Sequence, residues 1–193
     1  MTEDPIRLAI IIGSTREGRF GPTVTRWFAA QARHRADTEV EVIDLAEAGL
    51  PACITAFGEL KPLAVQALAP QLAQADAFVV VTPEYNHSFP ASLKLALDWY
   101  RDEWQAKPVG FVSYGGMAGG LRAVEHLRTV FTELHATTIR DTVSFHSYPD
   151  KFDSTGNPLN VETCNAAAKV MLDQLDWWAR ALRDARVHRP YGA

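Results

Sequence analysis

Short apolar runs alternate along the chain with segments in which apolar residues recur every three or four positions. The runs that begin near Ile6, Phe78 and Val109 are almost uniformly apolar, which is typical of strands buried on both faces of a sheet. The runs near Val40 and Ile139 instead alternate apolar with polar residues, as strands at the edges of a sheet do. The pattern therefore predicts five strands, of which the second and fifth lie at the edges.

Segments with helical spacing separate these strands and continue towards the C-terminus. Pro70 falls inside the second of them, where a proline is expected to end or kink the helix. Asn160 follows a polar stretch over 146–160, predicted to be a surface loop, and is expected to cap the last helix. The predicted helices cover 22–32, 62–75, 90–100 and 120–134, and the last one is expected to bury Val161, Ala167, Val170, Met171, Leu175, Trp178 and Leu182.

The regular alternation of strands and helices predicts an α/β fold, with a parallel sheet covered by helices on both faces. Edge positions for the second and fifth strands match the order 2-1-3-4-5 of flavodoxin-like folds, whereas the order 3-2-1-4-5-6 places the second strand inside the sheet. No internal repeat and no long linker divides the sequence. We therefore expect residues 1–193 to form a single flavodoxin-like, doubly wound five-stranded domain.

The composition is that of a globular protein, with 193 residues, 47% of them hydrophobic and 22% charged, which excludes intrinsic disorder. A formal net charge of −4 argues against a general nucleic-acid binder. Cys53 and Cys164 lie far apart without a neighbouring thiol or histidine, so a disulfide scaffold or metal site is not expected. The apolar run from Ile6 to Ile12 is too short for a membrane span and follows acidic residues, unlike a signal peptide. We expect a cytoplasmic protein with no membrane or nucleic-acid partner.

Ligands of open parallel sheets bind beyond the carboxyl ends of the strands, near the point where the strand order reverses. The candidate loops here follow Ile12, Thr82 and Ser113. The first, residues 13–21, joins a buried strand to a helix start, where free backbone N–H groups favour an anion. Arg16 and Arg19 add positive charge, which favours a phosphate monoester over the alternative of a solvated turn. The loop has neither the P-loop motif nor the Gly-x-Gly-x-x-Gly dinucleotide fingerprint.

The second and third loops have compositions suited to a flat ring. Residues 82–90 carry two prolines that stiffen a carboxylate, a phenol, an amide and an imidazole, although Glu84 is equally suited to a cap or salt bridge and His87 to a polar loop position. Gly-x-Ser-x-Gly is absent, so hydrolase chemistry is not expected. Residues 114–120 contain four glycines, which favours close approach of the backbone to a ligand.

Together the three loops resemble the NADPH-dependent FMN reductase family, a flavodoxin-like group that includes quinone, azo-dye and chromate reductases. The matching segments are 13–16, then 83–88 with Leu93-Lys94 and Asp98-Trp99, then glycines 115–116 and 119–120. The Pro-Glu-Tyr-Asn segment is the most specific, and the likeness runs from about Ile6 to Phe145. The resemblance implies FMN as cofactor and NADPH or NADH as hydride donor. It implies that Ser14, Thr15, Arg16, Arg19 and Phe20 hold the FMN phosphate and ribityl chain, that Pro83, Glu84, Tyr85 and Asn86 line the isoalloxazine, and that Tyr114, Gly115 and Gly116 line its other edge.

The resemblance also implies an enzyme that passes hydride from NAD(P)H through FMN to a small-molecule acceptor such as a quinone, free flavin, an azo compound or a metal oxyanion. The flavin supplies the redox chemistry, so no catalytic side chain and no metal is expected. Two alternatives remain, an electron-carrier flavodoxin and a flavin-binding sensor without turnover. Family members are usually homodimers or homotetramers. Trp99, Tyr100 and Trp104 are consistent with either a subunit interface or packing within the chain.

Overall fold

The computed structural model describes residues 4–192, which contain a five-stranded sheet in the order β2-β1-β3-β4-β5. Every neighbouring pair of strands is parallel. This confirms the predicted flavodoxin-like order 2-1-3-4-5. The strands are β1 (Ile6–Ile12), β2 (Thr38–Asp44), β3 (Ala77–Pro83), β4 (Pro108–Gly115) and β5 (Thr137–His146).

The helices cover both faces of the sheet. One core layer joins α1 and α5 to the sheet, and the other joins α2, α3 and α4 to its opposite face. All residues of β3 and β4 are buried, whereas Ile43 is the buried residue of β2, as expected for central and edge strands respectively. The helices are α1 (Gly21–Arg33), α2 (Leu63–Gln74), α3 (Ala91–Trp99), α4 (Leu121–Glu133) and α5 (Val161–His188), with a 3-10 turn at Tyr148–Lys151.

The strand register brings the three candidate loops to one edge of the sheet. Ile12 of β1 pairs with Val81 of β3, and Pro83 at the end of β3 pairs with Tyr114 of β4. The loops after β1, β3 and β4 therefore leave the sheet side by side. Because α1 lies on one face while α3 and α4 lie on the other, these loops diverge around the edge and leave a pocket between them.

Pro70 does not end α2, which continues to Gln74. The missing N–H of Pro70 leaves the carbonyl of Gln66 without its helical partner. Both residues are exposed, so water can satisfy that carbonyl, and the helix tolerates the proline. The helix predicted over 62–75 is therefore confirmed, and of the two effects expected of Pro70, an end of the helix does not occur.

The buried face of α5 also differs from the prediction. Met171 and Leu175 are buried as predicted, but Val161, Ala167 and Val170 are exposed. The Met171 side chain reaches the sheet at Gly110 of β4, where an added Cβ would lie 2.6 Å from Met171 Cε. Asn160 occupies the N-cap position without a side-chain hydrogen bond, so it does not cap the helix as predicted. The residues buried along α5 are Ala168, Met171, Leu172, Leu175 and Ala179.

Three aromatic residues at the end of α3 pack inside the chain. Trp99, Tyr100 and Trp104 are all buried. The Tyr100 hydroxyl donates to the Val65 carbonyl at 3.1 Å, and Trp104 Nε1 donates to the Tyr100 carbonyl at 3.0 Å. Of the two alternatives left by the sequence, packing within the chain is correct, so these residues give no support for a subunit interface.

Across residues 4–192, no helix is both long and apolar enough to cross a membrane.

Candidate functional site

A pocket of about 360 Å³ lies at the carboxyl edge of the sheet, between the loops that follow β1, β3 and β4. Nine of the twelve predicted site residues line it, and Ser14, Thr15 and Asn86 do not. The segment after β5 contributes a further wall residue, Tyr148. The lining consists of Arg16, Glu17, Gly18, Arg19, Phe20, Pro83, Glu84, Tyr85, Tyr114, Gly115, Gly116 and Tyr148.

The loop between β1 and α1 presents a row of backbone donors. The N–H groups of residues 14–18 donate to no group within residues 4–192. Arg16 is exposed and forms no ion pair with any described residue, so its charge is available to a ligand. The first turn of α1 contains no acidic residue that would oppose an anion. Free N–H groups, a helix start and an unpaired arginine together suit a phosphate.

Arg19 has a different environment, although it lies only three residues further on. Its guanidinium donates to both carboxylate oxygens of Asp44, with 2.7 Å from Nη2 to Oδ2, and its Nη1 donates to the Ser14 carbonyl at 2.8 Å. The two side chains are only 15% and 17% exposed. The hydrogen bond to Asp44 raises the pKa of Arg19. Arg19 therefore ties the loop to the end of β2, and its charge is already balanced.

Ser14 lies beneath the pocket rather than in its wall. The side chain is fully buried, and its Oγ lies 3.3 Å from the hydroxyl of Tyr114 on β4. Burial raises the pKa of Tyr114, so its phenol stays protonated at neutral pH. A Cβ added at Gly21 would lie 2.8 Å from Ser14 Oγ, which explains why glycine stands at the start of α1. These contacts join the ends of β1 and β4 and fix the floor of the pocket.

An aromatic cluster around Phe20 forms one side of the site. The Phe20 ring centroid lies 4.9 Å from that of Tyr148 and 5.1 Å from that of Phe152, and Tyr114 contacts Tyr148 at 5.2 Å. Tyr148 and Phe152 come from the stretch that the sequence analysis predicted to be a polar surface loop. The sequence signal that could have revealed them is two aromatic residues, four positions apart, inside an otherwise polar loop.

The loop after β3 folds into a tight turn. The N–H of Tyr85 donates to the Ser88 carbonyl at 2.8 Å, and the N–H of Ser88 donates back at 3.1 Å. The two central residues, Asn86 and His87, have φ values of 49° and 74°, the pattern of a type I′ turn. Asparagine tolerates this left-handed backbone well, and His87 adopts it at some cost. The turn holds Tyr85 at the pocket, whose lining does not include Asn86. Desolvation raises the pKa of Tyr85, with Arg16 opposing the shift.

Glu84 connects this turn to the glycine-rich loop. One carboxylate oxygen accepts from the backbone N–H of Arg122 at 3.3 Å, and the other lies 3.3 Å from Arg122 Nε. Gly120 precedes α4 and has no side chain to cap it, so Glu84 provides a cap from another loop. Both structural roles that the sequence allowed for Glu84 are therefore present together.

The glycines after β4 fall into two groups, those required by packing or backbone conformation within the protein and one that is not. Gly119 and Gly120 have positive φ values, and a Cβ at Gly120 would lie 2.7 Å from the Cβ of Ser113. A Cβ at Gly115 would lie 3.0 Å from the Gly120 nitrogen, so that glycine is also required by packing within the protein. Gly116, in contrast, faces open space at the pocket. Close approach to a ligand is therefore a possible reason for Gly116 alone.

The chain matches known proteins over this whole region. The profile of the family described as NADPH-dependent FMN reductase matches residues 6–150. The chain is 37% identical to an NAD(P)H-dependent FMN reductase of Schizosaccharomyces pombe, over 59% of this chain and 60% of that protein. It is 32% identical to an NADPH:quinone oxidoreductase of Arabidopsis thaliana, over 86% of this chain and 89% of that protein.

Solved structures agree on the fold. The flavoenzyme NAD(P)H:(acceptor) oxidoreductase FerB of Paracoccus denitrificans superposes with a TM-score of 0.74 at 20% identity, covering 91% of this chain and 98% of that one. Oxidised flavodoxin 1 of Bacillus cereus superposes with a TM-score of 0.56 at 17% identity, covering 88% and 99%. The family profile spans the three loops on which the resemblance was based, so that prediction is confirmed. The chain belongs to the NADPH-dependent FMN reductase family and is an oxidoreductase.

Proposed function

We propose that this protein binds FMN in the carboxyl-edge pocket and uses NAD(P)H to reduce a small acceptor of the quinone type. The observation that carries the proposal is the row of free backbone N–H groups at residues 14–18, placed at a helix start beside Arg16. These groups lie next to a pocket of about 360 Å³ with an aromatic side. Pockets of this size are typical of small-molecule and cofactor sites.

The residues of the pocket fit two parts of FMN, its phosphate and its isoalloxazine ring. The loop at 14–18 and Arg16 supply the donors that a phosphate monoester requires. Pro83 and Tyr85 on one side, and Tyr114 and Gly116 on the other, offer flat and open surfaces for the isoalloxazine. We assign Ser14 and Arg19 to holding the loop in place, because both are already bonded within the protein.

Thr15 and Asn86 remain proposed cofactor residues. They lie in the loops that frame the pocket, but neither side chain lines it. The backbone of each loop can serve a ligand without its side chain, since N–H groups are the donors of such turns.

Bound FMN supplies the hydride acceptor and donor chemistry. The chain positions the ring and stabilises developing charge through backbone N–H groups. Glu84 is engaged with Arg122, so we do not assign its carboxylate to proton transfer. The relatives named above as FMN and quinone reductases support this choice of acceptor.

Absorption spectroscopy tests the proposal directly. The protein is mixed with FMN, passed through gel filtration and treated with NADPH in the absence of oxygen. We expect the protein to retain a flavin absorption band after gel filtration. NADPH should bleach this band within the turnover time, and a quinone should restore it. Retained flavin that does not bleach would favour a carrier or sensor. If no flavin is retained, a turnover assay with free FMN follows, and its failure would overturn the proposal.

A further inference from the structure

A cluster of nitrogen donors lies beside the pocket, outside the set of residues assigned to FMN. Arg122, in the first turn of α4, donates from Nη1 to Nδ1 of His87 at 2.7 Å. His126, one turn further along α4, lies 3.0 Å from the hydroxyl of Ser88 through its own Nδ1. The two imidazole rings are 6.3 Å apart between centroids. We call Arg122, His87 and His126 the α4 cluster.

The hydrogen bonds within the α4 cluster leave donors directed away from the protein. His87 Nδ1 accepts from Arg122, so the neutral ring carries its proton on Nε2. Arg122 uses Nε for Glu84 and Nη1 for His87, and its Nη2 bonds to no described residue. Both histidines are exposed, and the Arg122 side chain is 41% exposed. Glu84 thus holds the guanidinium in one orientation while its outer edge stays accessible.

The α4 cluster is separated from the donors assigned to the FMN phosphate. Residues 14–18 follow β1 and lead to α1 on one face of the sheet, whereas α4 packs on the opposite face. Two strand spacings of about 4.8 Å each separate β1 from β4 in the sheet, because β3 lies between them. One phosphate cannot reach both sets of donors. The two sets flank the same pocket, since Glu84 lines it and contacts Arg122 directly.

We propose that the α4 cluster binds a phosphate group of the nicotinamide coenzyme. The inference rests on the proposed function, which requires NAD(P)H to reach the same pocket. Among the reactants of that function, the quinone carries no phosphate and the FMN phosphate is assigned elsewhere. Arginine offers a planar pair of donors that matches phosphate oxygens, and the imidazole N–H of His87 adds a third. The phosphate is either the 2′-phosphate of NADPH or the pyrophosphate that NADPH and NADH share.

Three hydride donors distinguish these sources. NADPH carries both kinds of phosphate, NADH carries the pyrophosphate alone, and N-benzyl-1,4-dihydronicotinamide carries none. The FMN-loaded enzyme and its Arg122→Met and Arg122→Lys variants are compared by kcat/KM with each donor at a fixed quinone concentration. Arg140→Met is the matched control, because Arg140 is an 88% exposed arginine on β5.

We expect Arg122→Met to lower kcat/KM for a phosphate-bearing donor by at least about tenfold more than for the benzyl compound. Arg122→Lys keeps the charge but loses the planar fork, so it restores only part of this loss. A loss with NADPH alone identifies the 2′-phosphate, and a loss with both dinucleotides identifies the pyrophosphate. Equal changes with all three donors, or no change, would overturn the proposal and leave Arg122 as a loop anchor.

A binding measurement separates this proposal from the proposed function. Calorimetry with 2′,5′-ADP, ADP and adenosine is performed on wild type and on His87→Asn, which removes the imidazole N–H donor, tolerates the positive φ and leaves the pair of Arg122 with Glu84 in place. We expect tighter binding of a phosphorylated ligand than of adenosine, and weakening by several fold in the variant. If none of the three hydride donors reduces the flavin, the proposed function is refuted, and the calorimetry still shows whether the α4 cluster binds phosphate. Equal binding of all three ligands would refute the site even in an active enzyme.

Discussion

Arg16 and Arg19 lie in one loop, but the structure assigns them different tasks. Arg16 is exposed and has no ion pair among the described residues, whereas Arg19 is held by Asp44 and the Ser14 carbonyl. If FMN binds as proposed, Arg16→Gln removes a charge-assisted contact to its phosphate, which contributes about 1.5–3 kcal/mol. At about 1.4 kcal/mol per factor of ten, the dissociation constant of FMN rises by about 10- to 140-fold. The stability of the protein without FMN changes by less than about 0.5 kcal/mol.

Arg19→Gln is expected to lower the stability of the protein rather than its affinity for FMN. It breaks the pair with Asp44 and the bond to the Ser14 carbonyl. Loss of one partner from a fully buried pair costs about 3–5 kcal/mol. Because these side chains are 15% and 17% exposed, water offsets part of the loss, and we expect about 1–3 kcal/mol. For a chain of this length, that lowers the melting temperature by about 2–4 °C for each kcal/mol.

Two measurements on each variant decide between these tasks. Flavin fluorescence during titration of the protein with FMN gives the affinity, and circular dichroism during heating without FMN gives the stability. Asp44→Asn is the matched control, since it should reproduce the stability loss of Arg19→Gln without the affinity loss of Arg16→Gln. The reasoning is refuted if Arg19→Gln weakens FMN binding more than Arg16→Gln does, or if Arg16→Gln leaves the affinity unchanged.

Three further predictions concern the scaffold. Burial lowers the pKa of Lys107 from 10.5 to about 8, so between these values the unfolded chain holds the proton that the folded protein releases. The free energy of unfolding of wild type, relative to Lys107→Met, should therefore rise by about 3 kcal/mol from pH 8 to pH 10.5 in urea denaturation, and a flat difference would contradict the burial argument. Asn86→Val places a β-branched residue at a φ of 49° and should cost about 1–2 kcal/mol in thermal unfolding, whereas Asn86→Gly should not. Gly120→Ala combines a φ of 86° with a clash against Ser113 and should cost about 2 kcal/mol or more; an unchanged melting temperature would show that the loop relaxes.

The strand order could be predicted because burial is encoded locally. Uniformly apolar runs near Phe78 and Val109 became the central strands, and the alternating run near Val40 became an edge strand. The position of the pocket followed from the strand order, since parallel strands end at one edge. Nine of the twelve predicted residues line the pocket for this reason.

Contacts between distant segments could not be predicted in the same way. Tyr148 reaches the pocket because a 3-10 turn after β5 brings it against Phe20, and no periodicity marks such a contact. The pairing of Arg19 with Asp44 depends on how far β2 extends beside β1. The buried face of α5 includes Ala168 and Ala179, whereas the larger Val161 and Val170 are exposed, so side-chain size alone does not mark that face in the sequence.

The bond between Arg19 and Asp44 links the cofactor loop to the exposed edge of the sheet. Asp44 is the last residue of β2, and β2 has a single neighbouring strand, β1. A ligand that binds only the folded loop stabilises it by mass action, and through this bond the end of β2 shares that stabilisation. When β2 detaches, β1 becomes the edge, and its run of isoleucines at 10–12 is the kind of bare apolar strand that pairs with other chains. If FMN binds this loop as proposed, its loss is expected to shorten the lifetime of the protein in solution, with aggregation starting at this edge.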